Sequence, residues 1–234
     1  MKDKKVAIIT AAGKGLGKAI ALEFHKNGYE LALMSVSSNA IDLAKELGCL
    51  GLIGSVTNEK DLQTLVHATL DKYHRIDAVV NNTGHPAKGA LLDIPDESWH
   101  DGLDLLLMNV IKMSRLVVPV MEKQGGGAIV NVSTFAAFEP SLAFPVSSAL
   151  RAALGSFAKM FADQYGGIKI RMNNVLPGYM DNYPVDGSVI EKIPLKRTAL
   201  VEEVARAVYY LSSGNSSYIT GQNLRVDGGI TRSV

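Results

Sequence analysis

The sequence contains little cysteine, little tryptophan and no long cluster of like charge. One of its 234 residues is cysteine and one is tryptophan. A lone Cys49 cannot form an internal disulfide, which argues against a disulfide-stabilised secreted fold and agrees with a reducing compartment. We interpret Cys49 as a small buried hydrophobic residue. The formal net charge is +1, and Lys4 and Lys5 form the main basic cluster, so nothing indicates a nucleic-acid or membrane-surface partner.

Long apolar segments are also absent. The N-terminal apolar run spans about five residues, too short for a signal sequence, and no run is long enough to cross a bilayer. We therefore predict a cytoplasmic protein with no membrane partner. Hydrophobic residues make up 47% of the chain and charged residues 20%, which is enough for a substantial core without linkers or repeats. We expect residues 1–234 to form a single domain.

Short apolar runs rich in β-branched residues alternate with amphipathic helical stretches. This pattern predicts an α/β fold: a single-domain, Rossmann-like, doubly wound parallel sheet of about seven strands with helices on both faces. The longest helices are predicted at 98–121 and 147–165. The predicted strands are 6–10, 31–34, 50–53, 78–81, 128–132, 168–176 and 223–226.

A glycine-rich turn follows the first predicted strand and leads into an amphipathic helix. This is the context that a dinucleotide-binding loop requires, because glycines let the backbone approach a pyrophosphate and the helix N-terminus presents unpaired N–H groups. Taken alone, a tight turn that merely starts a helix explains the motif about as well. The candidate cofactor-binding residues here are Thr10, Gly13, Lys14, Gly15, Leu16 and Gly17.

Further motifs follow in a recognisable order and spacing. Asn82, Thr83 and Gly84 follow the fourth strand, and Pro177 and Gly178 follow the sixth. Together with a helical asparagine and a C-terminal Val-Asp-Gly-Gly segment, they resemble the short-chain dehydrogenase/reductase family over essentially the whole chain, most closely its β-ketoacyl carrier-protein reductases. The resemblance implies nicotinamide-dependent oxidoreduction of a small molecule, by a single dinucleotide-binding domain over residues 1–234 that includes the substrate pocket. It also implies cofactor contacts at these turns, and a homo-oligomer, dimer or tetramer, built through the long helices.

The catalytic positions of that family are largely substituted. The family holds the carbonyl with Ser, protonates it with Tyr, binds the nicotinamide ribose with Lys, and anchors a water chain with Asn. By that resemblance Asn109 is retained, Thr134 stands for the Ser with Ser133 beside it, and Ser147 and Arg151 occupy the Tyr and Lys positions. A hydroxyl and a permanent charge survive. An alkyl alcohol, however, is a far weaker acid than a phenol.

Several groups are candidates for the missing acid. Tyr179 and Tyr183 follow the Pro-Gly turn, His85 lies in the loop after the fourth strand, and a water held by Ser147 and Arg151 is a further candidate relay. For each of these side chains we favour the interpretation as a pocket wall or an exposed loop residue.

A second Tyr-x-x-x-Lys spacing, at Tyr165 and Lys169, is interrupted by Gly166 and Gly167, so we expect the helix to end between the two side chains. We give this pair a structural interpretation.

Aromatic residues follow Thr134 and the Pro-Gly turn, which predicts an apolar, partly aromatic substrate pocket. Packing in the core or at a subunit contact is an equal alternative for any one of them. We predict no metal site. The candidate pocket residues are His85, Phe135, Phe144, Tyr179 and Tyr183.

The choice of cofactor follows from charge. An acid after the second strand would bond a ribose 2′-hydroxyl and repel a 2′-phosphate, but this segment carries Ser35 and Ser37 with Lys14 in the adjacent loop. We predict NADP(H) in preference to NAD(H); the alternative is a plain turn beside a solvated lysine. Ser55, followed by Val56, stands where the family has an acid near the adenine, and Ala11 replaces the first glycine of its loop.

Two main hypotheses follow from these residues. The first is an NADP(H)-dependent oxidoreductase acting on a carbonyl or alcohol through an atypical site. The second is a non-catalytic NADP(H)-binding sensor or scaffold, since a fold does not guarantee its usual chemistry. A lyase or isomerase has no residue signature in this chain.

Overall fold

The structure, a computed structural model, describes residues 4–233. Within them, the chain forms one seven-stranded parallel sheet in the order β3-β2-β1-β4-β5-β6-β7. This confirms the predicted fold class. The strands are β1 (Val6–Thr10), β2 (Glu30–Ser35), β3 (Leu50–Ile53), β4 (Ala78–Asn81), β5 (Gly127–Val132), β6 (Ile170–Pro177) and β7 (Asn223–Val226).

Helices cover both faces of the sheet, so alternate residues of the central strands enter two separate cores. The helices are α1 (Gly15–Lys26), α2 (Asn39–Leu47), α3 (Glu59–Tyr73), α4 (Asp96–Leu103), α5 (Asn109–Lys123), α6 (Pro145–Tyr165), α7 (Gly187–Ile190) and α8 (Val201–Ser212). Ile9 and Val80 pack on one face under α1 and α8, and Ile8 and Val79 pack on the other under α3, α5 and α6.

The strand order reverses between β1 and β4. From β1 the chain builds outward to β2 and β3, then returns to place β4 on the other side. At such a switch point the loops after the two strands diverge and leave a crevice at the carboxyl edge of the sheet, where ligands bind in open α/β folds. The glycine-rich turn follows β1 and Asn82 follows β4, so the fold brings both predicted cofactor motifs to one crevice.

The two long helices differ in detail from prediction. The predicted 98–121 helix is a helical run from α4 to α5 interrupted by a π-helical turn, Asp104–Met108, that ends immediately before Asn109. The predicted 147–165 helix begins earlier, at Pro145, because proline suits the first helical position. It ends at Tyr165 as expected, and Lys169 has a φ of 63°, so Tyr165 and Lys169 share no helix face.

Cys49 was interpreted as a small buried hydrophobic residue; it packs against the core but is only partly buried, and this burial raises its pKa to about 11. Among residues 4–233, no helix combines the length and apolar character required to cross a bilayer. The same part of the chain contains no group of three or more side chains suited to holding a metal ion.

Candidate active site

The turn after β1 is tightly folded against its neighbours. A Cβ at Gly17 would lie 2.0 Å from the carbonyl oxygen of Ala11, so this position requires glycine, and Gly15 has a φ of +51°, a conformation that favours glycine. Ala11, which replaces a family glycine, also has a positive φ, 47°, an uncommon conformation for alanine. The loop keeps its shape despite the added methyl group, at a cost in backbone strain.

Thr10 joins the two loops that flank the crevice. Its hydroxyl donates to the carbonyl oxygen of Asn82 at 2.7 Å and accepts from the Asn82 backbone nitrogen at 3.0 Å, and the Asn82 side chain donates to the Ala11 carbonyl at 3.3 Å. Thr10 therefore acts within the fold by positioning the loops. Beyond Asn82, the Thr83 hydroxyl donates to the Gly84 carbonyl, and a Cβ at Gly84 would meet no atom within 4 Å, so the crevice is open there.

The corner predicted to distinguish NADP(H) from NAD(H) is formed by contact between two turns. A Cβ at Gly13 would lie 2.5 Å from the Cβ of Asn39, so the glycine-rich turn packs on the start of α2 and carries the exposed Lys14 beside the turn after β2. The Ser35 hydroxyl donates to the Ser37 carbonyl at 2.8 Å and shapes that turn. The exposed Ser37 side chain and the Lys14 ammonium remain the candidate phosphate ligands.

At the adenine corner, after β3, the Ser55 hydroxyl is hydrogen-bonded to the Thr57 hydroxyl at 2.8 Å. The backbone nitrogen of Ser55 donates to the carboxylate of Asp61 at 2.8 Å, and Val56 is buried. The acid at this corner thus holds the turn rather than facing a ligand.

Arg151 links α6 to the end of β5. Its guanidinium Nη1 donates to the carbonyl oxygen of Val132, and the residue is only 7% exposed. Ser147 lies one turn earlier on the same face of α6, and Thr134 lies two residues beyond Val132. Burial lowers the pKa of Arg151 to about 10, so the group stays charged at neutral pH, and its Nε has no hydrogen-bond partner among the described residues.

Asn109 follows the π-helical turn and is 3% exposed. Its side-chain nitrogen donates to the Leu105 carbonyl at 2.6 Å, which leaves the buried Oδ1 without a partner in the described part of the chain. A buried acceptor of this kind normally binds water or a ligand. The free Oδ1 is the acceptor that the predicted water-anchoring role would use, and that role stays a prediction.

The predicted pocket residues come together mainly in pairs. The ring of His85 meets Tyr183 edge to face, with centroids 5.5 Å apart, and Phe135 meets Tyr179 at 5.4 Å. The first pair connects the loop after β4 to the segment after β6. The second connects the loop after β5 to that same segment. Aromatic contacts thus span the mouth of the crevice.

Positive charge surrounds His85. Burial, followed by the charges of Arg151 and Lys88, lowers its pKa, so the imidazole is neutral at neutral pH. The Lys88 ammonium also lies 4.8 Å from the centre of the Phe144 ring. The loop after β4, the start of α6 and the buried Arg151 therefore share one electropositive region.

Asn182, in the segment after Pro177 and Gly178, was not among the residues predicted from the sequence. A Cβ at Gly15 would lie 3.3 Å from the amide nitrogen of Asn182, and the Asn182 Oδ1 is buried without a partner among the described residues. A side-chain amide thus faces the predicted pyrophosphate loop. Its fixed distance from the Pro-Gly turn is the only sequence signal that could have identified it.

A row of amides lies across the sheet beside the site. The side chain of Asn81 donates to Asn131 at 2.9 Å, Asn131 donates to Asn174 at 2.8 Å, and Asn174 donates to Asn223 at 2.7 Å. These four residues are register partners on β4, β5, β6 and β7. The row links the four strands at the level of Asn131. The next residue, Val132, supplies the carbonyl oxygen that accepts a hydrogen bond from Arg151.

The fold and the crevice define a dinucleotide-binding protein of the α/β class: a parallel sheet, a glycine-rich turn at the switch point, and a second loop clamped to it. The chain belongs to the short-chain dehydrogenase/reductase family, a family of nicotinamide-dependent oxidoreductases. The family model described as enoyl-(acyl carrier protein) reductase matches residues 10–231.

Individual relatives agree with this assignment. The chain is 34% identical to the 3-oxoacyl-(acyl-carrier-protein) reductase of Thermotoga maritima, over 97% of this chain and 98% of that protein. It is 32% identical to human dehydrogenase/reductase SDR family member 4, over 96% and 87%. Among solved structures, L-sorbose reductase from Gluconobacter frateurii, complexed with NADPH and L-sorbose, matches with a TM-score of 0.92 and 28% identity over 99% and 98% of the two chains.

Proposed function

We propose that the protein is an NADP(H)-dependent oxidoreductase that interconverts a carbonyl and an alcohol at a site formed by Asn109, Thr134, Ser147 and Arg151. The observation that carries the proposal is the buried guanidinium of Arg151, bound to the end of β5 and retaining a free Nε. A folded chain retains a poorly paired buried charge at a substantial cost, which favours a functional role.

The residues at the crevice fit a dinucleotide. The turn after β1 leaves no room for a side chain at Gly17, while open space lies beside Gly84. The Oδ1 of Asn182 and the Nε of Arg151 are buried and have no hydrogen-bond partner among the described residues, so both can form hydrogen bonds with a ligand. When bound, the nicotinamide supplies or accepts the hydride. The residues that would hold the cofactor are Gly13, Lys14, Gly15, Leu16, Gly17, Ser37, Asn82, Thr83, Gly84, Arg151, Pro177, Gly178 and Asn182.

The side chains around the reacting carbonyl have distinct roles in this proposal. The Thr134 hydroxyl, which accepts from the Ala136 backbone nitrogen at 3.4 Å, donates its own proton toward the carbonyl oxygen and polarises it. Arg151 binds the ribose hydroxyls and stabilises negative charge that develops on the substrate oxygen. Asn109 holds a water at its free Oδ1, and this water delivers the proton that a phenol would otherwise supply.

The substitution at position 147 has a predictable cost. General acid assistance contributes typically about 10²–10⁴ to the rate, so a water in place of a positioned phenol slows the reaction without preventing hydride transfer. We therefore infer a slow reductase rather than an inert one. The aromatic pairs formed by His85, Phe135, Tyr179 and Tyr183 serve as pocket walls in this account.

Cofactor binding and turnover test the proposal together. Fluorescence titration should give tighter binding of NADPH than of NADH, and Lys14→Ala should weaken NADPH binding while leaving NADH binding nearly unchanged. Tighter NADH binding in the parent protein would contradict the cofactor assignment. In stopped-flow mixing with a panel of carbonyl compounds, bound NADPH should be oxidised; NADPH that binds but is never oxidised would favour a sensor or scaffold.

The proposal includes a homo-oligomer, a dimer or tetramer, in which α5 and α6 meet their symmetry partners. Met160 on α6 is 62% exposed, which supports an apolar contact there. Light scattering that gives the mass of a monomer at working concentration would contradict it. The cytoplasmic location and the single-domain organisation of residues 1–234 stay predictions.

A further inference from the structure

We propose that Arg151 and Ser147 bind a carboxylate of the substrate, so that the preferred substrate class is 2-oxo acids rather than neutral ketones. This inference rests on the proposed function and specifies the substrate of that same site: the carboxylate takes guanidinium N–H groups that neither Val132 nor the ribose hydroxyls use. It is carried by three features of the described residues: a buried cation without a counter-ion, a positive surrounding field, and a short side chain where the family has a ring.

The first feature is the missing partner of Arg151. The guanidinium has five N–H donors, and within residues 4–233 its hydrogen bond goes to a backbone carbonyl, that of Val132. No carboxylate forms an ion pair with it in that part of the chain. Buried charges in folded proteins are ordinarily paired, so a cation that is 7% exposed and lacks a counter-ion is suited to receiving one from a ligand.

Acidic side chains in the loops around the site are already engaged. Glu139 accepts from the backbone nitrogens of residues 232 and 233. Asp181 accepts from the backbone nitrogen of residue 201 at 3.1 Å, and Asp227 accepts from those of residues 229 and 231 at 2.9 and 3.2 Å. These carboxylates hold loops in place, and none of them lies within ion-pair distance of the Arg151 guanidinium.

The second feature is the sign of the local field. The charges that act on His85 are those of Arg151 and Lys88, both cationic, and both lower its pKa together with burial. Lys88 is held over the Phe144 ring at the start of α6. A region flanked by two cations, with its histidine neutral, attracts an anion.

The third feature is space and donor geometry at position 147. The Ser147 hydroxyl has no hydrogen-bond partner among the described residues, and the serine side chain is shorter by a ring than the tyrosine that the family has at this position. Arginine in place of lysine adds a planar fork that matches the two oxygens of a carboxylate. Both substitutions thus favour binding of an anion at this site. Serine removes the phenol, and arginine supplies two parallel hydrogen-bond donors for the anion.

Arg151 and Thr134 act at one short segment of the chain. Arg151 binds the carbonyl oxygen of Val132, and Thr134 lies two residues further along, an advance of roughly 7 Å in extended backbone. Two binding groups this close in the chain suit a substrate whose carboxylate is adjacent to its carbonyl. In the reaction, hydride adds to the ketone carbon and a proton to its oxygen, giving a 2-hydroxy acid and NADP⁺, with the carboxylate unchanged.

Binding of a non-reducible analogue tests the inference without requiring turnover. Oxamate has the shape and charge of a small 2-oxo acid, and ethyl oxamate is its neutral ester. Calorimetry on the full chain, with and without NADPH, should show oxamate binding and much weaker ethyl oxamate binding. Arg151→Met should reduce oxamate affinity at least about tenfold, the effect of one charge-assisted hydrogen bond. Arg151→Lys should reduce it less, and Ser147→Tyr should block it by filling the space.

Lys159→Met is the matched control, because it removes a cation from the exposed face of the same helix. It should leave oxamate binding unchanged. Oxamate that does not bind, or binds equally to parent and Arg151→Met, would overturn the inference, even when neutral ketones are reduced. Oxamate binding that depends on Arg151 would support it even when no carbonyl is reduced, and in that case the proposed reductase activity alone would fail. Circular dichroism verifies that each variant is folded.

Discussion

Gly17→Ala is expected to damage both stability and cofactor binding. The new Cβ would lie 2.0 Å from the Ala11 carbonyl oxygen and 2.9 Å from the Asn82 amide nitrogen, so either the turn or α1 must move. Overpacking of this kind costs about 1–3 kcal/mol, and loss of the Asn82 to Ala11 hydrogen bond costs about 1 kcal/mol. The better helix propensity of alanine offsets about 1 kcal/mol. The net loss is therefore about 1–3 kcal/mol.

Urea denaturation followed by circular dichroism measures this change, with Gly166→Ala as a matched control. Gly166 has a φ of −59°, and a Cβ there would meet no atom within 4 Å, so the same substitution should stabilise the protein by about 0.4–1 kcal/mol. NADPH titration should show weakened binding for Gly17→Ala only. A Gly17→Ala variant as stable as Gly166→Ala, with unchanged NADPH affinity, would refute the packing of the loop described above.

Three further predictions concern the crevice. Ala11→Gly should stabilise the protein. It removes the strain of a positive φ at alanine, about 1–2 kcal/mol, but increases the backbone entropy of the unfolded chain, which costs about 0.4–1 kcal/mol. Urea denaturation should show a net stabilisation of up to about 1 kcal/mol, and a clear loss of stability would contradict this prediction. Folding lowers the pKa of His85. When the pH falls below the ordinary histidine pKa of 6.5, His85 therefore binds a proton more readily in the unfolded chain than in the folded chain, and the folded state loses stability. Parent stability should therefore fall more steeply than that of His85→Gln as the pH decreases from neutral to mildly acidic, and equal slopes would contradict the assignment. Restoring Tyr and Lys in the double variant Ser147→Tyr, Arg151→Lys should raise the single-turnover rate of neutral ketone reduction by about 10²–10⁴; an unchanged or lower rate would indicate that the native site uses another route.

The strands were predictable because their hydrophobic pattern is local. β1 and β4 match their predicted bounds to the residue, since each is a continuous apolar run that ends at a turn. β6 begins two residues later than predicted. Ile168 is apolar, but the preceding Gly166 and Gly167 take it into a 3₁₀ turn, and only Ile170 begins to pair with β5. Hydrophobicity alone does not separate a strand residue from an apolar residue in a tight turn.

The site was predictable where it depends on spacing and hidden where it depends on distant contacts. The interval of four residues between Ser147 and Arg151 was sufficient to put both on one helix face. The acceptor of Arg151, however, is the backbone carbonyl of Val132, and any residue type would supply it. Asn131 and Asn174 are 43 residues apart in sequence, and their hydrogen bond exists only through strand register. The π-helical turn before Asn109 likewise has no marker in the sequence.

The central claim is that hydride passes between a nicotinamide and a carbonyl held at Thr134, beside Arg151. The most direct measurement is a single turnover with NADPH deuterated at the nicotinamide C4, mixed with a panel of 2-oxo acids and neutral ketones and followed by mass spectrometry of the products. The account predicts deuterium on the carbinol carbon of at least one product, and a much slower transfer in Thr134→Val with NADPH affinity retained. Bound NADPH that releases no label to any carbonyl, or a Thr134→Val variant as fast as the parent, would contradict it.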